Sequence, residues 1–343
     1  MSSRHNVAAP TEIHLKDWRA ILVRVWQRML ADGIGVLSGG IAFYAFLSVF
    51  PAVAAGLKVW GMFTDMSTLG PQLEALRGFA PDAFGLVTDQ MVAIANQNNG
   101  ELTLGVIISA ILALWSASGG VSALMGAMNL AYHEKEKRGF IRLTFTSLGF
   151  TLGGIVFVAL SIAAIAAIPP ILEALRLGQT VEAIIRVTRW LMTVGVFFIA
   201  CALTYRIAPS RTHARWRWII PGALAASVLW LTASIAFSFY LANFAAYNAT
   251  FGSLGAVAAL LMWFWISAYA IIMGAELNSQ LELFTTQDTT IGEPAKPGQR
   301  GAAVADHIEE PSKAHGPTPQ AEDVTMPKDL ERVEASRVAR SQS

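Results

Sequence analysis

Six stretches of this chain are long and oily enough to cross a lipid bilayer: residues 33–57, 102–129, 140–168, 190–208, 216–244 and 253–275. About 20 apolar residues span the hydrocarbon core as a helix. Lipid offers no hydrogen bonds, so each run must satisfy its own backbone, which a helix does. The whole chain is 54% hydrophobic and 14% charged, against a usual charged share of roughly 25%. That balance holds although residues 285–343 are strongly polar. The expected fold is therefore all-α, a polytopic membrane protein with six transmembrane helices. The first run is expected to serve as its own uncleaved signal. Pro51, Pro169, Pro170 and Pro221 mark where bends or ends are expected. The single cysteine, Cys201, excludes an internal disulfide framework.

Basic residues in the short connections set the orientation. Arg4, Lys16, Arg19, Arg24 and Arg28 precede the first run, and Lys135, Lys137, Arg138 and Arg142 cluster around 133–142. Arg206, Arg211, Arg215 and Arg217 cluster around 206–217, whereas residues 65–101 hold only Arg77, 169–189 hold Arg176, Arg186 and Arg189, and 245–252 hold none. Both termini are therefore expected in the cytoplasm.

Three parts divide the chain. Residues 1–32 form a cytoplasmic N-terminus in which "LKDWRAILVRVWQRML" places Leu15, Trp18, Leu22, Val25 and Met29 at helical spacing. That pattern predicts an amphipathic interfacial helix. Residues 33–284 form the membrane domain, with an outer loop, 65–101, expected to carry amphipathic helices of its own. Residues 285–343 hold six of the fourteen prolines and no Phe, Trp or Tyr. That composition buries too little apolar area to offset chain entropy, so a disordered cytoplasmic tail is expected.

Within the runs, small and polar residues recur at helical spacing. Gly35 and Gly39 form a GxxxG pair, Tyr44 and Ser48 share a face, and Pro51 follows. Ser118 and Ser122 are four apart, with Asn129 on the same face, and Gly149 and Gly153 repeat GxxxG. Such residues allow close helix approach and interhelical hydrogen bonds. They are candidates for helix packing or for the lining of a pathway.

The blocks "SGGIAFYAFLSVFP", "LMGAMNLAYHEKEKRGFIR", "LTYRIAPS" with "WRWIIPGALAASVLW", and "TFGSLGAVAALLMWFWISAYAIIMGAELNSQLE" resemble the signature segments of the YihY/BrkB family. They run in the expected order over roughly residues 15 to 285. The resemblance implies six transmembrane helices in the bacterial cytoplasmic (inner) membrane. It also brings two labels carried by family members, virulence factor and the older ribonuclease BN.

The residues argue against the nuclease. "HEKEK" at 133 has a lysine where a paired metal-binding histidine would stand, and the six histidines are scattered. No Gly-rich phosphate loop and no Ser/His/Asp set at one depth is present, so no enzyme, no cofactor and no nucleic-acid partner are expected. No charged side chain falls near a midplane, which disfavours a deep proton or ion relay. The midplane offers instead Tyr44, Ser48, Trp115, Ser116, Ser118, Thr151, Ser227, Trp230, Thr232, Trp263 and Ser267. That lining suits an amphiphilic or lipid substrate, and it suits a structural bundle equally well. The richest polar cluster is "MGAELNSQLE", with Glu276 and Gln280 on one face and Asn278 and Glu282 on the next. Arg138, Arg142 and Arg206 are its candidate partners, forming either a packing network or a cytoplasmic gate closed by Glu276. A transporter or flippase-like protein is the expected function; the alternative is a non-transporting scaffold tied to envelope integrity or virulence. Membrane lipids are the expected partners, with self-association left open.

Overall fold

The computed structural model describes residues 7–63, 99–174, 180–243 and 253–307. The expected outer loop falls outside them apart from its last residues, and so does 308–343. Eight α-helices order the described chain: α1 (Leu15–Ala31), α2 (Ile34–Phe63), α3 (Asn99–Ala131), α4 (Phe140–Ala174), α5 (Thr180–Ile207), α6 (Trp216–Asn243), α7 (Ser253–Leu283) and the short α8 (Ala303–Asp306). No strand occurs among these residues, only an isolated bridge between Ala214 and Thr290.

Five helices carry windows apolar enough to cross a membrane: Ala110–Ala131, Phe140–Phe157, Trp190–Ile207, Trp216–Leu241 and Gly255–Leu283. A sixth crossing is reached when α1 and α2, which meet at 63°, are taken together as one bent span. Asp32 ends α1 by donating its N–H to the Arg28 carbonyl, and Gly33 turns the corner at φ 61°. A side chain rarely tolerates that left-handed backbone. The helices outlast the expected runs: α4 continues past Pro169 and Pro170 to Ala174, and α2 passes Pro51. Pro221 lies inside α6.

Several hydroxyls inside the spans bond to their own helices. Ser118 donates to the Trp115 carbonyl, Thr151 to Ser147, Ser227 to Ala223 and Ser48 to Ala45. This keeps polar atoms satisfied in a medium without water.

Helix α7 is the hub, touching α1, α2, α3, α6 and α8. The most extensive pairing is α2 on α3, and α4 joins the bundle through α3 and α5. Gly222 of α6 and Gly274 of α7 make the closest crossing, where an added Cβ would strike the opposing backbone. Gly35 and Gly39 lie under the Trp265 ring, whose indole N–H donates to the Gly35 carbonyl at 2.8 Å. The Tyr44 ring lies over Gly119 and Gly120 of α3. A methyl group added at Gly149 or Gly153 would meet nothing within 4 Å among the described residues, so the expected tight packing of α4 through them does not occur.

Both chain ends of the membrane domain meet at one end of the bundle. The Thr285 hydroxyl donates to the Val7 carbonyl at 2.6 Å. An even number of crossings requires this, and the basic connections 133–142 and 206–217 make that end cytoplasmic.

Candidate functional site

Polar residues that would be costly in lipid collect at this cytoplasmic end. Glu276, Asn278, Ser279, Gln280 and Glu282, all on the last turns of α7, are 0% exposed. A charge so placed must be paired or neutral.

Glu282 is paired. The Arg211 guanidinium grips it in a fork, with N–O distances of 3.2 and 2.6 Å, and the Thr289 hydroxyl donates to the same carboxylate at 2.6 Å. Both side chains of the ion pair are almost wholly buried, at 2% and 0% exposure. Burial alone would push Arg211 toward its neutral form. The Glu282 charge and hydrogen bonds outweigh it, with help from Tyr132 and Glu134, and raise the Arg211 pKa. The guanidinium also lies over the Tyr132 ring, 4.9 Å from its centroid. The Tyr132 phenol is pushed upward by burial, then by the Glu282 charge.

Asn278 serves the turn around Pro221. Its oxygen accepts the Gly222 N–H at 2.7 Å, and its amide donates to the Ile219 carbonyl at 3.0 Å. These two bonds tie α7 to the backbone of α6 on either side of Pro221. The Tyr205 hydroxyl likewise donates to the Ile271 carbonyl at 2.7 Å, locking α5 to α7 beside the Gly222–Gly274 crossing.

Asn129, at the end of α3, joins two cytoplasmic connections. Its amide donates to Glu136 at 2.8 Å and its oxygen accepts the Ser210 N–H at 2.7 Å. Burial would raise the Glu136 pKa; hydrogen bonds from the Arg138 side chain and backbone and from Asn129, with the Arg138 charge, instead bring it to about 2.

The segment after α7 departs most from expectation. Composition predicts disorder from 285 onward, yet residues 285–307 fold against the cytoplasmic face. Arg300, 7% exposed, organises this strap by donating to the carbonyls of Thr286, Gln287, Ala295 and Ala305. Asp288 accepts from Thr290 and from the Ala295 N–H, and these bonds overcome its burial to lower its pKa. The strap then grips the 208–215 connection: Thr212 N–H to Gly301, Arg215 N–H to Thr289, Ile291 N–H to His213. Glu134 accepts the Ala303 N–H at 2.7 Å. Composition misleads here because polar bonds and three glycines at positive φ, Gly292, Gly298 and Gly301, hold the strap, which adds only a few apolar side chains such as Val304 to the core.

The expected gate partners need correction. Arg138 pairs with Glu136 and donates to the Ala208 carbonyl. Arg206 stacks on Trp216 at 4.4 Å. Arg142 is exposed. None of the three is the partner of Glu276, and the arginine that pairs with a glutamate of α7 is Arg211, bound to Glu282. Sequence reasoning misses it because four arginines in one connection look alike until the helices cross.

The midplane set also separates. Trp115 is 74% exposed and Thr232 is exposed, so both face outward, and Tyr44 is 41% exposed beside α3. Ser118 is buried and Ser122 half-buried, Ser48 is half-buried, and the side chain of Pro51 lies outside the described set. Trp230 stacks on Phe197 at 4.4 Å and donates to Ser267 at 3.1 Å, forming one polar-aromatic cluster between α5, α6 and α7.

Helix α1 has two apolar faces where one was expected. Ile21, Val25 and Met29 are buried against the bundle, while Leu15, Leu22, Val23, Trp26 and Leu30 are exposed. Leu15, Trp18, Arg19, Leu22, Val23 and Trp26 line an open apolar groove along it.

Comparison with known proteins fits this geometry. The chain matches the family described as Virulence factor BrkB over residues 25–299, and it belongs to that family. The match reaches into the strap, beyond the end at 285 expected from the signature segments. It is 31% identical over 256 residues to the ribonuclease-like protein YfkH of Bacillus subtilis, covering 71% of this chain and 88% of that protein. It is 23% identical over 266 residues to a UPF0761 membrane protein of Pseudoalteromonas translucida, covering 77% and 86%. A UPF0761 membrane protein of Xanthomonas axonopodis is 27% identical over 278 residues, covering 77% and 61%. No solved structure matches. The protein is a multi-pass protein of the bacterial inner membrane.

Proposed function

We propose that this member of the Virulence factor BrkB family is a transporter or flippase-like protein for an amphiphilic substrate, and not an enzyme. Its cytoplasmic gate is the Arg211–Glu282 pair under the strap. The observation that carries the reading is that pair: two opposite charges, almost wholly buried, where α7, the 208–215 connection and the strap meet. A seal meant only to hold could use apolar residues at equal or greater stability. A charged seal can exchange its internal bonds for water, which suits an element with two states. The ribonuclease-like name of the Bacillus relative finds no echo in the site. Among the described residues no group of three or more His, Cys, Asp or Glu could hold a metal.

Reconstituted vesicles test the reading. Labelled lipid analogues or charged detergents should cross faster in wild type than in empty vesicles. Glu282→Gln with Arg211→Gln should change that rate while the protein stays folded. No movement above background in wild type or variant would remove the transport reading. It would favour the non-transporting scaffold, which the close packing of the inner half also suits.

A further inference from the structure

Helix α1 turns one apolar face to the bundle and leaves another open. Ile21, Val25 and Met29 are buried, whereas Leu22, Trp26 and Leu30 on the other side are 53%, 58% and 64% exposed. Single exposed apolar side chains are ordinary, but a continuous strip of them marks an interaction surface. This strip forms the open groove along α1, and the one charged side chain that lines it is Arg19. Arg19 is exposed, as is Lys16 three residues earlier, and neither is paired with a carboxylate among the described residues.

The bend at Gly33 sets what can cover that groove. Helices α1 and α2 meet at 63° and together make one bent span. With α2 across the bilayer, that angle lays α1 nearer the membrane plane than its normal, with the Leu30 end deeper than the Leu15 end. Apolar exposure continues past the corner, where Val36 at the start of α2 is 83% exposed. The deep end of the groove therefore adjoins surface that acyl chains must cover. Arg19 lies in the shallower half. Helical side chains lean toward the N-terminus, so its stem follows the apolar strip while its guanidinium reaches the headgroup level. The chain's own C-terminal segment is a poor occupant, since residues 308–343 hold no Phe, Trp or Tyr to fill an apolar groove.

We propose that this groove is a binding site for an anionic phospholipid of the inner leaflet. An acyl chain lies along Leu22, Val23 and Trp26, and the lipid phosphate takes the Arg19 guanidinium as its partner, with Lys16 adding charge. Arginine suits the role because its planar fork can donate two N–H bonds to one phosphate. A headgroup with net negative charge is preferred over a zwitterionic one, which brings its own cation to the same place. The bound lipid holds α1 from outside while α7 and α2 hold it from within. The site uses neither Arg211 nor Glu282 and does not depend on whether the bundle moves a substrate.

Quenching of a bimane label in vesicles tests the site. Cys201 is buried, so in Leu22→Cys the label goes to the new thiol. The full-length protein is reconstituted in phosphatidylcholine containing a small share of chain-brominated phosphatidylglycerol or, in parallel, the same share of chain-brominated phosphatidylcholine. The brominated anionic lipid should quench the label more strongly than the zwitterionic one. Adding Arg19→Gln should reduce that preference about fivefold, the worth of one basic group at an anionic surface. A label in Trp115→Cys, at a side chain 74% exposed on α3, should be quenched equally by both lipids with or without Arg19→Gln, which shows that the variant is folded and inserted. Equal quenching by both lipids at Leu22→Cys would overturn the site and leave α1 a plain interfacial anchor. A preference that survives Arg19→Gln would overturn the assignment of the phosphate to Arg19. A label shielded from both lipids until the protein is diluted in excess lipid would mean that a second copy covers the groove, which also overturns the site.

Discussion

Glu276 and Glu282 lie on the same last turns of one helix, both fully buried, and the fold treats them in opposite ways. Glu282 receives a forked arginine and a threonine hydroxyl. Glu276 receives neither. The first arrangement satisfies a fixed charge. The second leaves a buried carboxyl without a donor among the described residues. Burial is the same in both places; the difference is whether a hydrogen-bond donor is built in.

Removing the built-in partner should have the largest effect. Arg211→Ala leaves Glu282 buried and alone, which should cost about 3–5 kcal/mol, read as a lowered unfolding midpoint in detergent. Adding Glu282→Gln to that variant should restore much of the loss, because the orphaned charge is gone; no recovery would break the contrast between the two glutamates. Asn278→Ala removes no charge but frees the Gly222 N–H and the Ile219 carbonyl, and a loss of about 1–3 kcal/mol is expected by the same measurement.

At two other carboxyls the expected effect depends on pH. The Asp32 carboxyl is pushed above its ordinary 3.8, first by burial, which Arg28, His133 and the Glu276 contact only partly offset. The folded protein therefore binds this proton more tightly than the unfolded chain does. This contribution is complete below the unfolded pKa and is lost as pH rises through the folded one. Asp32→Asn should match wild type below the ordinary 3.8 and become the more stable of the two as pH rises. Glu136 runs the other way. Its pKa is lowered from 4.5 to about 2, so its contribution is present above 4.5 and lost as pH falls toward 2. Glu136→Gln should flatten the acid side of the stability profile in that window. Last and smallest, Trp115→Leu swaps one lipid-facing apolar side chain for another and should stay within about 0.5 kcal/mol.

Much of the membrane domain is legible in the sequence. The six runs, their helical form and the placing of both ends on the basic side follow from residue type alone, because a bilayer sorts residues along a single axis. Asn129, Asn278, Gln280 and Glu282 are also legible as polar groups at the inner end, since helical spacing puts the α7 members on neighbouring faces. The Gly222–Gly274 crossing is not legible: the evident GxxxG pair of α4 stays open while two isolated glycines meet. The strap is not legible either, since Arg300 and Asp288 hold it through backbone carbonyls and N–H groups that carry no residue signature.

What the amino-acid order alone determined is how many times the chain crosses the membrane, where, and which side its ends face. Those answers depend on transfer between water and lipid, which each segment decides for itself. Tertiary structure decided which arginine meets which glutamate, and that a second buried glutamate meets no donor among the described residues. Those answers depend on helix crossing and on the strap folding back, which bring together residues such as Arg211 and Glu282 that are far apart in the chain.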